Sequence, residues 1–139
     1  PGVTKPREGR VRFEDGITEA DIVTLHCPLT ETTREMIDAA VLRRMKSSAL
    51  LINTARGALL DEKALVEALR TGEIAGAGLD GLSKEPPVAG NPLLAAGLPN
   101  LLITPHSAWG SQRARQRIVD QSVENIRGWL DGEPVRRVD

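Results

Sequence analysis

The chain has 139 residues and is 40% hydrophobic, with 18 lysines and arginines against 19 aspartates and glutamates for a formal net charge of -1. That length fits one domain able to bury a real core, and ordinary hydrophobic and charged fractions argue against disordered or fibrous classes. Near-neutral charge without a basic block argues against nucleic acid as the main partner, and no apolar run approaches the ~20 residues that span a bilayer.

One Phe, two Trp and no Tyr leave the core to Ala, Leu, Val and Ile. The single cysteine, Cys27, excludes an internal disulfide and a cysteine-based zinc site, and no metal is expected. The sequence opens at Pro1 without Met or a signal-like segment, so an excerpt of a longer cytoplasmic protein is expected. Residues 1–16 are polar, and Val11–Phe13 offers at most a short strand. Asp21–Cys27 (DIVTLHC) is apolar and β-branched and ends at Pro28, the pattern of a strand. Ile37–Met45 reads as a helix with Ile37, Val41, Leu42 and Met45 on one face. Ala49–Asn53 (ALLIN) suits a strand buried on both faces.

Asp61 can cap a helix running to Arg70, with Ala64, Leu65, Ala68 and Leu69 inward and Gly72 as its stop. Ala75–Asp80 (AGAGLD) is a small-residue strand, residues 83–99 form a loop rich in Pro and Gly, and Leu101–Thr104 is a fourth strand. Ser111 then caps the longest helix, to about Leu130, with Ala114, Ile118, Val119, Ser122, Val123, Ile126, Trp129 and Leu130 at helical spacing. Buried strands alternating with helices predict an α/β fold with a parallel sheet and right-handed crossovers.

Each predicted strand ends in polar or special residues: His26-Cys27-Pro28, then Asn53-Thr54-Ala55-Arg56-Gly57, then Asp80, then Thr104-Pro105-His106. Ligands of open parallel sheets sit just beyond the carboxyl ends of the strands, so these groups face one edge, and the loop after the third strand adds Glu85. An Arg fork binds a carboxylate through two hydrogen bonds. A His beside a carboxylate is favoured in its charged form and can donate a proton. Together they suit reduction of a 2-keto acid with hydride supplied by a cofactor.

At these residues the chain resembles the D-isomer-specific 2-hydroxyacid dehydrogenases. The segments are ADIVTLHCPLTETTREMID (20–38), LLINTARGALLDEKALVEALRTGEIAGAGLD (50–80), SKEPP (83–87) and NLLITPHSAWGSQRARQ (100–116). They cover roughly residues 10 to 132 in family order, and PHSAWGS further resembles the glycerate dehydrogenase and hydroxypyruvate reductase branch. The resemblance implies a Rossmann-like half of a doubly wound dinucleotide-binding domain over about 10–110, with 111–131 as a helix returning toward a substrate domain. Arg56 would bind the substrate carboxylate and polarise its keto oxygen. His106 would be acid in reduction and base in the reverse, and Glu85 would pair with it. Asp80 would bind the nicotinamide carboxamide end of NAD or NADP, helped by backbone at Thr54 and Ala55. Cys27, Pro28 and Ala108 would lie against the cofactor, and Trp109 would lie near the substrate pocket. Glu85 argues against the formate dehydrogenase relatives, which carry Gln there. Family members are usually homodimers.

Two departures stand out. Gly81 replaces the usual Val or other apolar residue after the Asp, which is expected to loosen that strand end. No G-x-G-x-x-G loop occurs to cradle a pyrophosphate at a helix start, so the isolated chain is expected to be inactive. Simpler readings remain open beside these. His26 suits a structural role holding loop backbone. His106, taken alone, suits a satisfied loop histidine, and Arg56 suits a surface arginine. Glu85-Pro86-Pro87 suits a rigid turn and Asp80 a loop cap, and Cys27 is more often a small buried apolar residue than a nucleophile. Arg113, Arg115 and Arg117 suit solvated helix surface. A non-catalytic, nucleotide-sensing corepressor-like module of the same fold is the alternative function.

Overall fold

Four short apolar runs make the sheet. In a computed structural model, which describes residues 9–136, β1 (Ile22–Leu25), β2 (Leu50–Asn53), β3 (Gly76–Leu79) and β4 (Leu101–Ile103) lie in the order β1-β2-β3-β4. Every pairing is parallel, and the register sets Leu25 beside Asn53, Asn53 beside Leu79 and Leu79 beside Ile103. Parallel neighbours require crossovers, and here α2 (Ala39–Leu42), α3 (Glu62–Thr71) and the single turn α4 (Pro92–Ala95) lie on them. The result is the expected α/β, Rossmann-like parallel sheet.

The core is aliphatic. Ile37, Leu42, Leu51, Leu59, Leu65 and Ile74 are its largest fully buried hydrophobic side chains. α3 forms where its caps dictate: the Asp61 carboxylate accepts from the N–H groups of Lys63 and Ala64, and Gly72 closes the helix at φ 74°. Leu65, Ala68 and Leu69 are buried as the spacing predicts, Val66 joins them, and Ala64 is half-buried.

Three elements differ from expectation. Val11–Phe13 is no strand, because α1 (Phe13–Glu19) begins at Phe13. Glu14 and Asp15 sit in its first turn, where the helix dipole favours anions, and Ile17 anchors it in the core. The expected helix over Ile37–Met45 shrinks to Ala39–Leu42. Ile37 cannot start it, since its N–H donates to Leu59 and its C=O accepts from Asp61. Asp38 caps α2 instead, with its carboxylate 2.8 Å from the Val41 N–H. The inward face survives this shortening: Ile37, Leu42 and Met45 are all buried. Within 83–99, Asn91 caps α4 and Pro92 opens it, the usual chemistry of a helix start.

Gly57 opens a turn of 3-10 helix (Gly57–Leu59). A Cβ at Gly57 would lie 2.1 Å from the carbonyl carbon of Leu82, so the chains after β2 and β3 touch backbone to backbone. Gly57→Ala forces those strands' loops apart and is expected to destabilise the fold by about 1–3 kcal/mol, the usual cost of overpacking. Urea unfolding checks this, and a loss below a few tenths of a kcal/mol would contradict it.

The chain divides into two compact units between His106 and Ser107. In the second, a short turn (Ala108–Gly110) precedes α5 (Gln112–Leu130), which Ser111 caps through the Ala114 N–H at 3.1 Å. The helix runs as predicted, and Ile118, Val119, Val123, Ile126, Trp129 and Leu130 along it are exposed. Among the described residues, no helix is long and apolar enough to cross a membrane.

Candidate functional site

The strand register builds one polar edge. Because Leu25, Asn53, Leu79 and Ile103 align across the sheet, the residues that follow them leave from the same side. Those residues are His26, Thr54, Asp80 and Thr104.

Asn53 organises the β2 end. Its side chain is 2% exposed, its Nδ2 donates to the Arg56 carbonyl at 2.8 Å, and its Oδ1 accepts from the Ala55 N–H at 3.0 Å. A buried amide with both ends engaged fixes the turn, since breaking either bond would strand a buried polar group. The turn presents Arg56 outward, where Nη1 donates to the Ala55 carbonyl at 2.7 Å. A cavity of about 600 Å³ opens here between the β1 and β2 ends, lined by His26, Cys27, Pro28, Leu29, Ala55 and Arg56. Cys27 is half-buried, with its Sγ 3.7 Å from the Met36 sulfur. His26 departs from its expected backbone-holding role: its Nε2 lies 2.9 Å from the Thr24 hydroxyl, a side-chain contact at the surface.

At the β3 and β4 ends, Asp80 is 5% exposed and accepts from the Thr104 hydroxyl at 2.6 Å. The carboxylate of Glu85 bridges two donors. Oε1 accepts from the Leu82 N–H at 2.8 Å, and Oε2 lies 2.7 Å from Nδ1 of His106. The bond to His106 holds Glu85 below the usual carboxylate range, the Leu82 N–H adds to this, and partial desolvation and the charge of Asp80 oppose it. Beside the pair lies an apolar cavity of about 520 Å³, walled by Leu82, Pro86, Pro87, Leu94 and Ile103. Arg56 lines the cavity at the β1 and β2 ends, while Glu85 and His106 line this one. Ala108 and Trp109 are exposed and belong to the second unit.

Two backbone features accompany the pair. His106 adopts φ 54°, a left-handed conformation that a non-glycine residue holds only where its surroundings enforce it. Gly81 adopts φ 146°, and a Cβ there would sit 3.0 Å from Glu85 Oε1 and 3.7 Å from His106 Nδ1. The expected loosening at Gly81 is therefore not what the structure shows. Gly81 is buried, and its missing side chain leaves the space that the Glu85 carboxylate occupies.

The lowered Glu85 sets a pH signature. A carboxyl group depressed in the folded state stabilises the fold above its unfolded pKa, and that stability is lost as pH falls through the folded value. The pair is partly exposed, at 47% and 36% of the two side chains, so Glu85→Gln is expected to lose less than about 1 kcal/mol at neutral pH. Urea titrations should show this difference shrinking to nothing on the acid side. A difference that grows toward acid would contradict it.

Residues 3–108 match the family model for the D-isomer specific 2-hydroxyacid dehydrogenase, NAD binding domain. The chain belongs to this family. It is similar to the glycerate dehydrogenase of Methylorubrum extorquens, with 51% identity over 93% of this chain and 41% of that protein. Among solved structures it is similar to an acyclic imino acid reductase in complex with NADPH and D-Arg. That match has a TM-score of 0.81 and 36% identity over 96% of this chain and 44% of the other. A second is the NAD-complexed D-isomer specific 2-hydroxyacid dehydrogenase of Lactobacillus delbrueckii ssp. bulgaricus, with a TM-score of 0.78 and 38% identity over 91% of this chain and 41% of the other. The chain thus spans about two fifths of the length of the relatives it matches.

As a member of this family the chain carries its polar edge where the motifs lie: NTARG begins on the last residue of β2, GLD runs off the end of β3, and TPHSAW follows β4. Sequence reasoning placed Asn53 in that edge without its clamping role, and it missed Thr104 as the partner of Asp80. The signal for Asn53 was available, since an Asn closing a strand buried on both faces must find partners. Among the described residues, no group of three His, Cys, Asp or Glu could hold a metal ion.

Proposed function

We propose that the whole protein of which this chain is part reduces a small 2-keto acid, hydroxypyruvate or glyoxylate, to the D-2-hydroxy acid, and catalyses the reverse. The observation that carries this reading is the Glu85–His106 pair at 2.7 Å. Glu85 fixes the ring through Nδ1, so Nε2 is the nitrogen that exchanges a proton with the substrate oxygen. His106 gives that proton in reduction and takes it back in oxidation. Arg56 holds the substrate carboxylate with its planar fork and draws charge from the keto oxygen.

The edge also fits the nicotinamide end of NAD or NADP. A buried carboxylate, Asp80, stands at a strand end, where it can accept from a carboxamide. The cavity lined by Cys27, Pro28 and Ala55 offers half-apolar walls for a ring, with Thr54 and Ala55 backbone beside it. The bound cofactor supplies or takes the hydride. α5 returns toward the substrate domain and covers its exposed apolar residues there. The whole protein is a cytoplasmic homodimer.

The test is an assay of the full-length protein with hydroxypyruvate and glyoxylate, following oxidation of NADH and NADPH. Turnover with either acid is the expected result. Cofactor binding without turnover on any 2-keto acid would overturn the proposal and favour a nucleotide-sensing module.

A further inference from the structure

Glu62, the first residue of α3, spends both carboxylate oxygens on the loop that carries Glu85. Oε1 accepts from the Ser83 N–H at 2.7 Å, and Oε2 accepts from Asn91 Nδ2 at 2.8 Å. Asn91 is 9% exposed, and its Oδ1 is committed to the Leu93 N–H at 2.9 Å. Its amide orientation is thereby set, with Nδ2 toward Glu62. Asp61 caps the helix through Lys63 and Ala64, so the residue beside it starts from a rigid base. One carboxylate therefore ties α3 to both ends of the segment 83–91.

The segment's near end matters for the catalytic pair. Ser83 follows Leu82, whose N–H donates to Glu85 Oε1, while Glu85 Oε2 meets His106. On the other side, the Leu82 carbonyl carbon lies against Gly57 with no room for a Cβ. The Leu82–Ser83 backbone is thus held between Gly57 and Glu62. We propose that Glu62 is a positioning residue for the Glu85–His106 pair, holding the Leu82–Ser83 backbone where Glu85 can reach both the Leu82 N–H and Nδ1 of His106. The kinetic part of this rests on the function proposed above; the structural part does not.

A bare structural staple would cost stability when cut but leave the pair unchanged. The charged groups acting on Glu85 are His106, which lowers it, and Asp80, which raises it. A variant at Glu62 must therefore be read for position separately from charge. Full-length protein labelled with 15N-histidine gives the His106 ring-nitrogen resonances at one fixed pH, which report the Nδ1 hydrogen bond and are assigned by their loss in His106→Asn. Glu85→Gln sets the scale of a broken pair, and Lys63→Ala, at an exposed neighbour, is the control expected to match the parent.

Glu62→Ala is expected to move the His106 Nδ1 resonance in the direction of Glu85→Gln. Adding Glu85→Gln to it should move the resonance little further. Glu62→Gln keeps an acceptor for Ser83 but loses the charge and sets its own Nε2 donor against Asn91 Nδ2, so it should fall between the parent and Glu62→Ala. In 2-keto acid reduction, Glu62→Ala should lower kcat about ten-fold with little change in KM, short of the ~100-fold that a 1 Å misplacement can cost. Should Glu62→Ala fail to fold, Glu62→Asp keeps the charge but draws the acceptor back from the Ser83 N–H by one methylene, and is read the same way. Unchanged His106 ring-nitrogen resonances in a folded Glu62→Ala or Glu62→Asp protein overturn the proposal. Equal shifts in Glu62→Ala and Glu62→Gln overturn it too, because charge alone would then explain them. The resonances need no substrate, so a protein without turnover would defeat the function proposed above while this inference is still tested.

Discussion

Arg56→Ala in the full-length enzyme is expected to lower kcat/KM for a 2-keto acid by about 10²–10⁴-fold. The estimate follows from two charge-assisted hydrogen bonds to a carboxylate, each worth roughly 1.5–3 kcal/mol. The fold should survive the change. It is the Arg56 carbonyl, not the guanidinium, that the buried Asn53 amide holds, and the side chain is exposed. Stability measured by denaturation should therefore match the parent, which separates a lost anchor from a collapsed turn. Arg56→Lys should recover only part of the activity, because an ammonium cannot present the planar fork. A 2-keto compound without a carboxylate should lose much less than a 2-keto acid does. Full activity in Arg56→Ala would remove the arginine from the site.

The sequence made strands and caps readable because their causes are local. Asp61 and Gly72 bound α3 by their own side-chain and backbone chemistry, and the apolar runs that became β1 to β4 lay within a residue or two of their observed ends. What failed to be readable depended on distant partners. Ile37 had the right spacing to begin a helix, yet its backbone pairs with residues 59–61, some twenty positions on, and that contact leaves no trace in a window around Ile37. Gly81 looked like a weak point by its own composition. Its meaning lies in the Glu85 carboxylate that occupies the space beside it.

The candidate site followed the same division. His106, Glu85 and Arg56 were marked by motif and by their position after strands, and the register of a parallel sheet carries them to one edge. The roles of the residues that hold them in place were not marked. Asn53 lay in the polar edge, yet its clamp on the backbone of Ala55 and Arg56 shows only in the folded turn, and Glu62, which grips the loop before Glu85, is an ordinary polar residue whose role appears only when backbone from another segment reaches it. A pattern of residue types can name a proton donor, but it cannot show which neighbour keeps that donor in place.

Replacing His106 tests the proposed proton donor itself, and the choice of replacement matters. With φ at 54°, His106 occupies a conformation that Asn tolerates well and Ala does not, so His106→Asn isolates the chemistry from backbone strain. In the full-length enzyme its kcat for 2-keto acid reduction is expected to fall about 10²–10⁴-fold, the usual contribution of general acid catalysis. KM for the acid should change little, because in the proposed reaction Arg56 and not the imidazole holds the carboxylate, and cofactor affinity measured by fluorescence should be retained. The pair gives a second reading. Glu85 fixes the imidazole through Nδ1, so in the parent enzyme Glu85→Gln should lower kcat for reduction. In the His106→Asn background the same Glu85→Gln change should add almost nothing, since groups that act as a unit are not additive. Two independent losses that multiply would mean that Glu85 serves the reaction by some route other than His106, even with 2.7 Å between their atoms.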